Sequence, residues 1–85
     1  MSKFDKLKER LKRKPTDFRY DELKAVLAGL GFKENSRGKT SGSRVAFINE
    51  STSHIIRIHK PHPGNIIKTY ALHYIVEELK EQNLL

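Results

Sequence analysis

Two short segments in which apolar and polar residues alternate constrain the fold of this chain most strongly. Residues 44–48 (RVAFI) and 54–59 (HIIRIH) are rich in β-branched and aromatic side chains, and the polar residues 49–53 separate them. Such segments are typical of β-strands, and a short polar connection between two of them is typical of a hairpin. The sequence therefore predicts an antiparallel β-hairpin over residues 44–59.

The apolar pattern also predicts the register of this hairpin, because directly opposed residues lie on the same face of a sheet. One register gathers the largest apolar side chains on a single face, through the pairs Val45 with Ile58 and Phe47 with Ile56. On the other face it places Arg44 opposite His59 and Ile48 opposite Ile55, and exposed isoleucines there would form a contact patch. A different register stays possible at this stage.

The helical spacing of apolar residues predicts three helices around the hairpin. They cover residues 3–13, about 20–30 and about 66–82. Gly31 suits the C-terminal cap of the second helix, and Asn65 is the expected N-cap of the third. In the third helix the expected apolar stripe is Ile67, Ala71, Ile75 and Leu79.

The remaining segments complete a small α+β domain. Residues 32–35 form a first short strand, the turn-rich residues 36–43 a flexible loop, and the proline-containing residues 60–65 a rigid connector. The expected architecture is a three-stranded antiparallel sheet with helices on one face, in the order α-β-β-β-α, plus an extra N-terminal basic helix. We divide the chain into a basic helical extension, 1–17, and an α+β domain, 18–85.

Size, cysteine content and charge limit the function. A chain of 85 residues supports one core, and the absence of cysteine excludes disulfides, thiolate catalysis and cysteine-based zinc sites. No apolar run is long enough to cross a membrane, so we expect a soluble, cytoplasmic protein. The net charge of +7 favours a polyanionic partner such as nucleic acid.

Much of that charge lies before Pro15. Residues 1–14 hold seven basic and two acidic residues. Three readings of this helix stay open: a solvated accessory helix, a nucleic-acid contact and a membrane contact with a small apolar anchor.

The sequence contains partial matches to a phosphate-binding P-loop and to a histidine metal site, and neither match is complete. Gly38-Lys39-Thr40 resembles the end of a phosphate-binding P-loop, but Lys33 occupies the position of the first required glycine and a strand follows where a helix should. His59 and His62 have the spacing of a metal pair, but no cysteine or nearby carboxylate completes a ligand set. We expect neither a metal nor another cofactor.

The candidate site is the end of the hairpin next to loop 36–43. Residues 54–73 contain four histidines, Arg57, Lys60 and Lys68, and no acid. Arg44 and Lys60, with loop amides around Gly42 and Ser43, could hold a nucleic-acid backbone, because exposed backbone N–H groups form an anion nest. Further RNA contacts are expected from Lys39 and Arg57, and the alternative is a solvated basic rim without function.

The order of elements and short motifs resembles that of the HicA-type toxins of bacterial type II toxin–antitoxin systems. The elements that carry this resemblance are a helix, Gly-Phe, a strand, Gly42-Ser43 before a second strand, a His-Pro connector, and a closing helix with Ile67-Lys68, Leu72 and Ile75. The resemblance covers about residues 18–82. It implies a double-stranded-RNA-binding-domain-like fold and an mRNA interferase that a HicB-type antitoxin neutralises.

One residue departs from the family pattern. The resemblance implies a catalytic histidine directly after Gly-Ser at the start of the second strand, and here Arg44 follows Ser43. Arginine stays protonated, so it can stabilise a phosphorane but cannot ordinarily act as a base. We therefore expect His59 to be the base beside Arg44 and Ser43, with His62 as second choice. The alternative is a non-catalytic RNA-binding module of the same fold, and the sequence indicates no oligomeric state.

Overall fold

The computed structural model of this protein describes residues 2–35, 44–61 and 64–85. It contains three helices and three strands in the predicted order: α1 (Lys3–Lys12), α2 (Tyr20–Gly29), β1 (Phe32–Asn35), β2 (Arg44–Asn49), β3 (His54–His59) and α3 (Thr69–Glu81). The three strands form one antiparallel sheet in the order β1-β2-β3. The expected α+β architecture is confirmed, and the predicted loop 36–43 lies outside the described residues.

The hairpin has the predicted register. Val45 pairs with Ile58, and Phe47 pairs with Ile56. These four side chains are buried, whereas Arg44 and the β3 residues that alternate with Ile56 and Ile58 lie on the exposed face. The alternation of apolar and polar residues was sufficient to predict this register, because shifting the strand pairing by one residue would expose every apolar side chain to solvent.

The core lies between the inner face of the sheet and the helices. Phe32 and Phe47 contribute from the sheet, and Phe18 is fully buried just before α2. In α3 the fully buried side chains are Leu72, Ile75, Val76 and Leu79. This stripe fixes which side of α3 faces the sheet and which side remains available to solvent.

Helix α2 begins and ends as the sequence indicates. Arg19 is its N-cap, and the Arg19 backbone N–H donates to Glu22 Oε1 at 3.0 Å, which satisfies one of the amides that a helix start leaves without an intrahelical partner. Gly31 follows the last turn with a φ of +100°, a conformation that glycine adopts without steric cost. The chain can therefore reverse sharply into β1.

Helix α1 packs on this domain through its apolar stripe. Leu11 is fully buried within the core, and Phe4 and Leu7 pack against its edge. Phe4 lies over Gly29 of α2, where a Cβ atom would overlap the phenyl ring. The helix therefore contributes side chains to the same core as the rest of the fold.

Several cations of the N-terminal segment make internal contacts. Arg10 donates to Asp17 Oδ1 at 2.6 Å and to Glu22 Oε1 at 3.0 Å, and its guanidinium lies 5.1 Å from the centre of the Phe18 ring. Lys14 pairs with Glu77 of α3 at 3.0 Å. The charge of this segment is thus partly engaged in holding α1 and the following turn in place.

The expected start of α3 is wrong by about one turn. Asn65 is not its N-cap, because the Asn65 carbonyl accepts a hydrogen bond from the Tyr20 N–H at 2.7 Å and Ile66 forms an antiparallel bridge with Arg19. The Ile67 N–H likewise donates to the Phe18 carbonyl at 2.8 Å. These residues are therefore extended, and the helix begins only at Thr69, with Lys68 as its N-cap.

The expected stripe on α3 changes with this start. Ile67 is buried but precedes the helix, and Ala71 is only partly buried. Among the described residues, no helix has the length and apolar character needed to span a membrane.

Candidate functional site

An open groove of about 560 Å³ lies between the end of β3 and the first two turns of α3. Residues 57–61 form one wall, and Lys68, Tyr70, Ala71 and Tyr74 form the other. Strand β3 is an edge strand of the sheet, and α3 packs beside it. The segment before α3 is bridged to Arg19, which anchors the start of the second wall to the beginning of α2.

The charged groups that line this groove are cationic. Arg57 and Lys60 lie on the strand side, and Lys68 lies on the helix side. The first turn of α3 carries no acidic residue, and the N–H groups at a helix start favour a negative charge. With no carboxylate among its lining residues, the groove is suited to an anion.

Arg44 and His59 are cross-strand partners at the same end of the sheet. Both side chains are exposed and lie on the face opposite the core. Directly opposed residues in an antiparallel pair have Cβ atoms about 4.5–5.5 Å apart. A guanidinium and an imidazole can therefore act together on one group bound at this point.

Lys60 is positioned by a contact with Tyr20. The Lys60 Nζ lies 5.7 Å from the centre of the Tyr20 ring, which is a cation–π distance. The Tyr20 hydroxyl donates to the carboxylate of Glu34, and Lys24 Nζ pairs with the same carboxylate at 3.1 Å. This network joins α2, β1 and Lys60, the first residue after β3.

The network also shifts the ionisation of its members. The hydrogen bond from Tyr20 holds the pKa of Glu34 below its usual range, and the charges of Lys24 and Lys60 lower it further. Burial, followed by the hydrogen bond to Glu34, raises the pKa of the Tyr20 hydroxyl well above its usual range. Glu34 therefore stays an anion and Tyr20 a neutral donor at neutral pH.

The structure brings several of the predicted site residues together. Arg57, His59 and Lys60 line one wall of the groove, and Arg44 faces His59 across the hairpin. The other predicted residues, Lys39, Gly42, Ser43 and His62, lie outside the described residues. Their roles remain predictions.

Sequence reasoning missed three contributors to this region. The contacts of Tyr20 with Glu34 and Lys60 join residues too far apart in sequence for any local pattern to indicate. Tyr70 and Tyr74 lie outside the apolar stripe expected on α3. Their spacing of four residues on a side of α3 without core residues was the available signal.

Two further predictions concern the surroundings of the groove. Within residues 2–35, 44–61 and 64–85, no group of three or more histidine or acidic side chains is arranged to hold a metal ion.

Ile48 lies opposite Ile55 on the outer face, where Ile55 keeps 38% of its surface exposed and Ile48 is half-buried. Their use as a contact patch is still a prediction.

A protein-family model matches most of this chain. The family model described as the HicA toxin of bacterial toxin–antitoxin systems matches residues 20–83, which are 64 of the 85 residues. The match includes the sheet, α2, α3 and every described residue of the groove, and it omits α1. Neither the curated proteins nor the solved structures contain a significant match.

Proposed function

Because this chain belongs to the HicA toxin family of bacterial toxin–antitoxin systems, we propose that it is a metal-independent endoribonuclease that cleaves mRNA. Membership in this family implies an antitoxin partner, and we propose that this partner is of the HicB type. The observation that carries the proposal is the juxtaposition of Arg44 and His59 beside a cationic groove.

RNA cleavage without a metal needs a base, an acid and a group that stabilises negative charge. In our proposal His59 accepts the proton of the ribose 2′-hydroxyl as that oxygen attacks the adjacent phosphorus. The bond from phosphorus to the 5′-oxygen breaks, and the leaving 5′-oxygen takes a proton from solvent water, while His59 keeps the proton of the 2′-hydroxyl until it is returned to solvent. The products are a 2′,3′-cyclic phosphate and a 5′-hydroxyl.

Arg44 has a different role in this scheme. A guanidinium remains protonated at neutral pH, so Arg44 donates to the phosphate oxygens and stabilises the charge that develops on them. Ser43 is proposed to contact the same phosphate, and His62 is the second candidate for the proton-transfer role. Both Ser43 and His62 are carried over from the sequence analysis.

The groove supplies the binding surface for the strand. Arg57, Lys60 and Lys68 provide cations in the groove that His59 also lines, and the N-terminal end of α3 adds backbone donors. Lys39 and Gly42 are proposed to extend this contact from loop 36–43. We assign RNA binding to residues 18–85 and treat 1–17 as an extension that packs on them.

Cleavage of a defined RNA in the presence of a metal chelator tests the catalytic proposal. We expect the wild-type chain to shorten the RNA and His59→Ala to be slower by about 10²- to 10⁴-fold, the usual contribution of a general acid or base. His73→Ala is the matched control, because His73 is also exposed but lies on α3 outside the groove. Equal rates for wild type and His59→Ala would remove His59 from the mechanism.

A non-catalytic RNA-binding module is the second candidate function. It is favoured by one observation, that Arg44 stands where the family resemblance places a catalytic histidine. Binding of RNA with no shortened product would support this candidate over the nuclease. In either case, co-expression with a HicB-type protein should relieve growth inhibition in a bacterial host, and failure of every such protein to do so would contradict the proposed partner.

A further inference from the structure

Two tyrosines on α3 are exposed although most of the large apolar side chains of this chain are buried. Tyr70 keeps 69% of its surface exposed and Tyr74 keeps 43%. They are four residues apart, so they lie one above the other on the same side of the helix. Both line the groove, and partly buried Ala71 beside them also lines it.

Packing does not account for these two rings. The core-facing stripe of α3 is Leu72, Ile75, Val76 and Leu79, and the tyrosines lie outside it. Removing exposed aromatic surface from water is favourable, so a pair of such rings in a concave site is suited to a flat apolar ligand.

The opposite wall indicates what kind of flat ligand would enter. Arg57 and Lys60 line the strand side of the same groove, and Lys68 lines it just before α3. Aromatic rings on one side and cations on the other are typical of sites for unpaired nucleic-acid strands, where bases stack on the rings and phosphates lie on the cations.

We propose that Tyr70 and Tyr74 each stack on an unpaired base of the RNA strand whose phosphates lie along Arg57, Lys60 and Lys68. This inference rests on the proposed function, because it assigns specificity-determining residues to the same groove. The Cβ atoms of residues four apart on a helix are about 5–6 Å apart, whereas neighbouring nucleotides of a duplex strand rise by about 3.4 Å. The wider spacing suits a strand whose bases have separated, so the groove would select unpaired nucleotides.

The test measures binding of a fluorescently labelled, 2′-O-methylated RNA strand, which lacks the hydroxyl needed for cleavage. Stacking on one aromatic ring is worth about 1–3 kcal/mol, so we expect Tyr70→Leu and Tyr74→Leu each to weaken binding by about 5- to 150-fold. Tyr70→Phe and Tyr74→Phe should bind nearly as well as wild type, because phenylalanine retains the ring. His73→Leu is the matched control, since it removes an exposed aromatic side chain of α3 that does not line the groove.

Two further measurements separate stacking from charge. In the wild-type chain, an RNA with abasic sites should bind more weakly than the same RNA with its bases. In the Tyr→Leu variants, removal of the bases should cause little additional loss of affinity. The salt dependence of binding should keep its slope in the Tyr→Leu variants and become shallower in Lys60→Ala, because only the lysine releases a counterion from a phosphate.

The outcomes distinguish this inference from the proposed function. RNA affinity that is equal in wild type and both Tyr→Leu variants would overturn the stacking roles while leaving the nuclease intact. If the same variants also escaped neutralisation by the antitoxin, the tyrosines would belong to a protein interface. A wild-type chain that binds no RNA would overturn the proposed function and this inference together.

Discussion

His59, the last residue of β3, lies directly opposite Arg44, the first residue of β2. Position 44 and position 59 therefore project from one end of the sheet toward the same space, on the face opposite the core. A histidine placed at either position would present its imidazole to nearly the same point. The sequence resemblance places a histidine at position 44, where this chain has arginine. Because positions 44 and 59 are opposed, moving a histidine from one position to the other tests whether they share a site.

We predict that Arg44→His partly restores cleavage to a His59→Ala chain. The single variant should lose about 10²- to 10⁴-fold in rate through loss of general acid–base catalysis, and a histidine across the strand pair should recover about tenfold or more. Product formation from a defined RNA measures this. Arg44→Gln in the same background is the control, and equal rates for the two double variants would contradict a shared site.

We predict that Leu11→Ala destabilises the whole domain. Leu11 is fully buried in the core, and truncating such a side chain costs about 2–5 kcal/mol in free energy of unfolding. Urea unfolding followed by circular dichroism measures the change. The control Lys6→Ala alters an exposed residue of the same helix and should shift the free energy by less than about 0.5 kcal/mol. Equal stability of the two variants would show that α1 is not part of the core.

We predict that the effect of Gly29→Ala reverses sign with the residue at position 4. In a helix, alanine is ordinarily more stable than glycine by about 0.5–1 kcal/mol, but here the added methyl group would overlap the Phe4 ring. The substitution should therefore destabilise the wild-type chain and stabilise a Phe4→Ala chain. A double-mutant cycle measures the coupling, and a value near zero would contradict the packing of Phe4 on α2.

We predict an acid-sensitive contribution from the Tyr20–Glu34 hydrogen bond. The pKa of Glu34 lies below its ordinary value of 4.5 in the folded chain. Its stabilising contribution is therefore present above pH 4.5 and is lost as the pH falls through the lowered pKa. Tyr20→Phe removes the donor, so it should cost about 1–3 kcal/mol at neutral pH and flatten the loss of stability in acid.

Urea unfolding at several pH values between about 6 and 3 follows this loss. Tyr74→Phe is the control, because it removes a hydroxyl from an exposed tyrosine at the groove. Parallel pH curves for wild type and Tyr20→Phe would contradict a role for this hydrogen bond.

Local patterns were enough to predict the sheet but not all of the site. The hairpin register followed from the alternation of Val45, Phe47, Ile56 and Ile58, because only one face could be buried. The start of α3 was misplaced because Asn65 has the side chain of a good N-cap, whereas its backbone is bonded to Tyr20, 45 residues earlier in the chain. No local propensity reports such a long-range bond.

The site shows the same division. The position of Arg57, His59 and Lys60 along one surface was predictable because cations and histidines cluster in an acid-free segment, and their roles stay predictions. Predicting that Tyr70 and Tyr74 line the groove would have required the rotation of α3 about its axis. The buried stripe determines that rotation once the helix start is known. The contact between Lys60 and Tyr20 depended on the approach of two segments that are distant in sequence.

The bridge between Arg19 and Ile66 has a mechanical consequence for the groove. It joins the residue that starts α2 to the segment that leads into α3, with hydrogen bonds from Tyr20 to Asn65 and from Ile67 to Phe18 on either side. Lys68 follows within two residues, so it cannot be displaced without pulling on the beginning of α2. The start of the helical wall of the groove is thus tethered by residues that do not themselves line the groove.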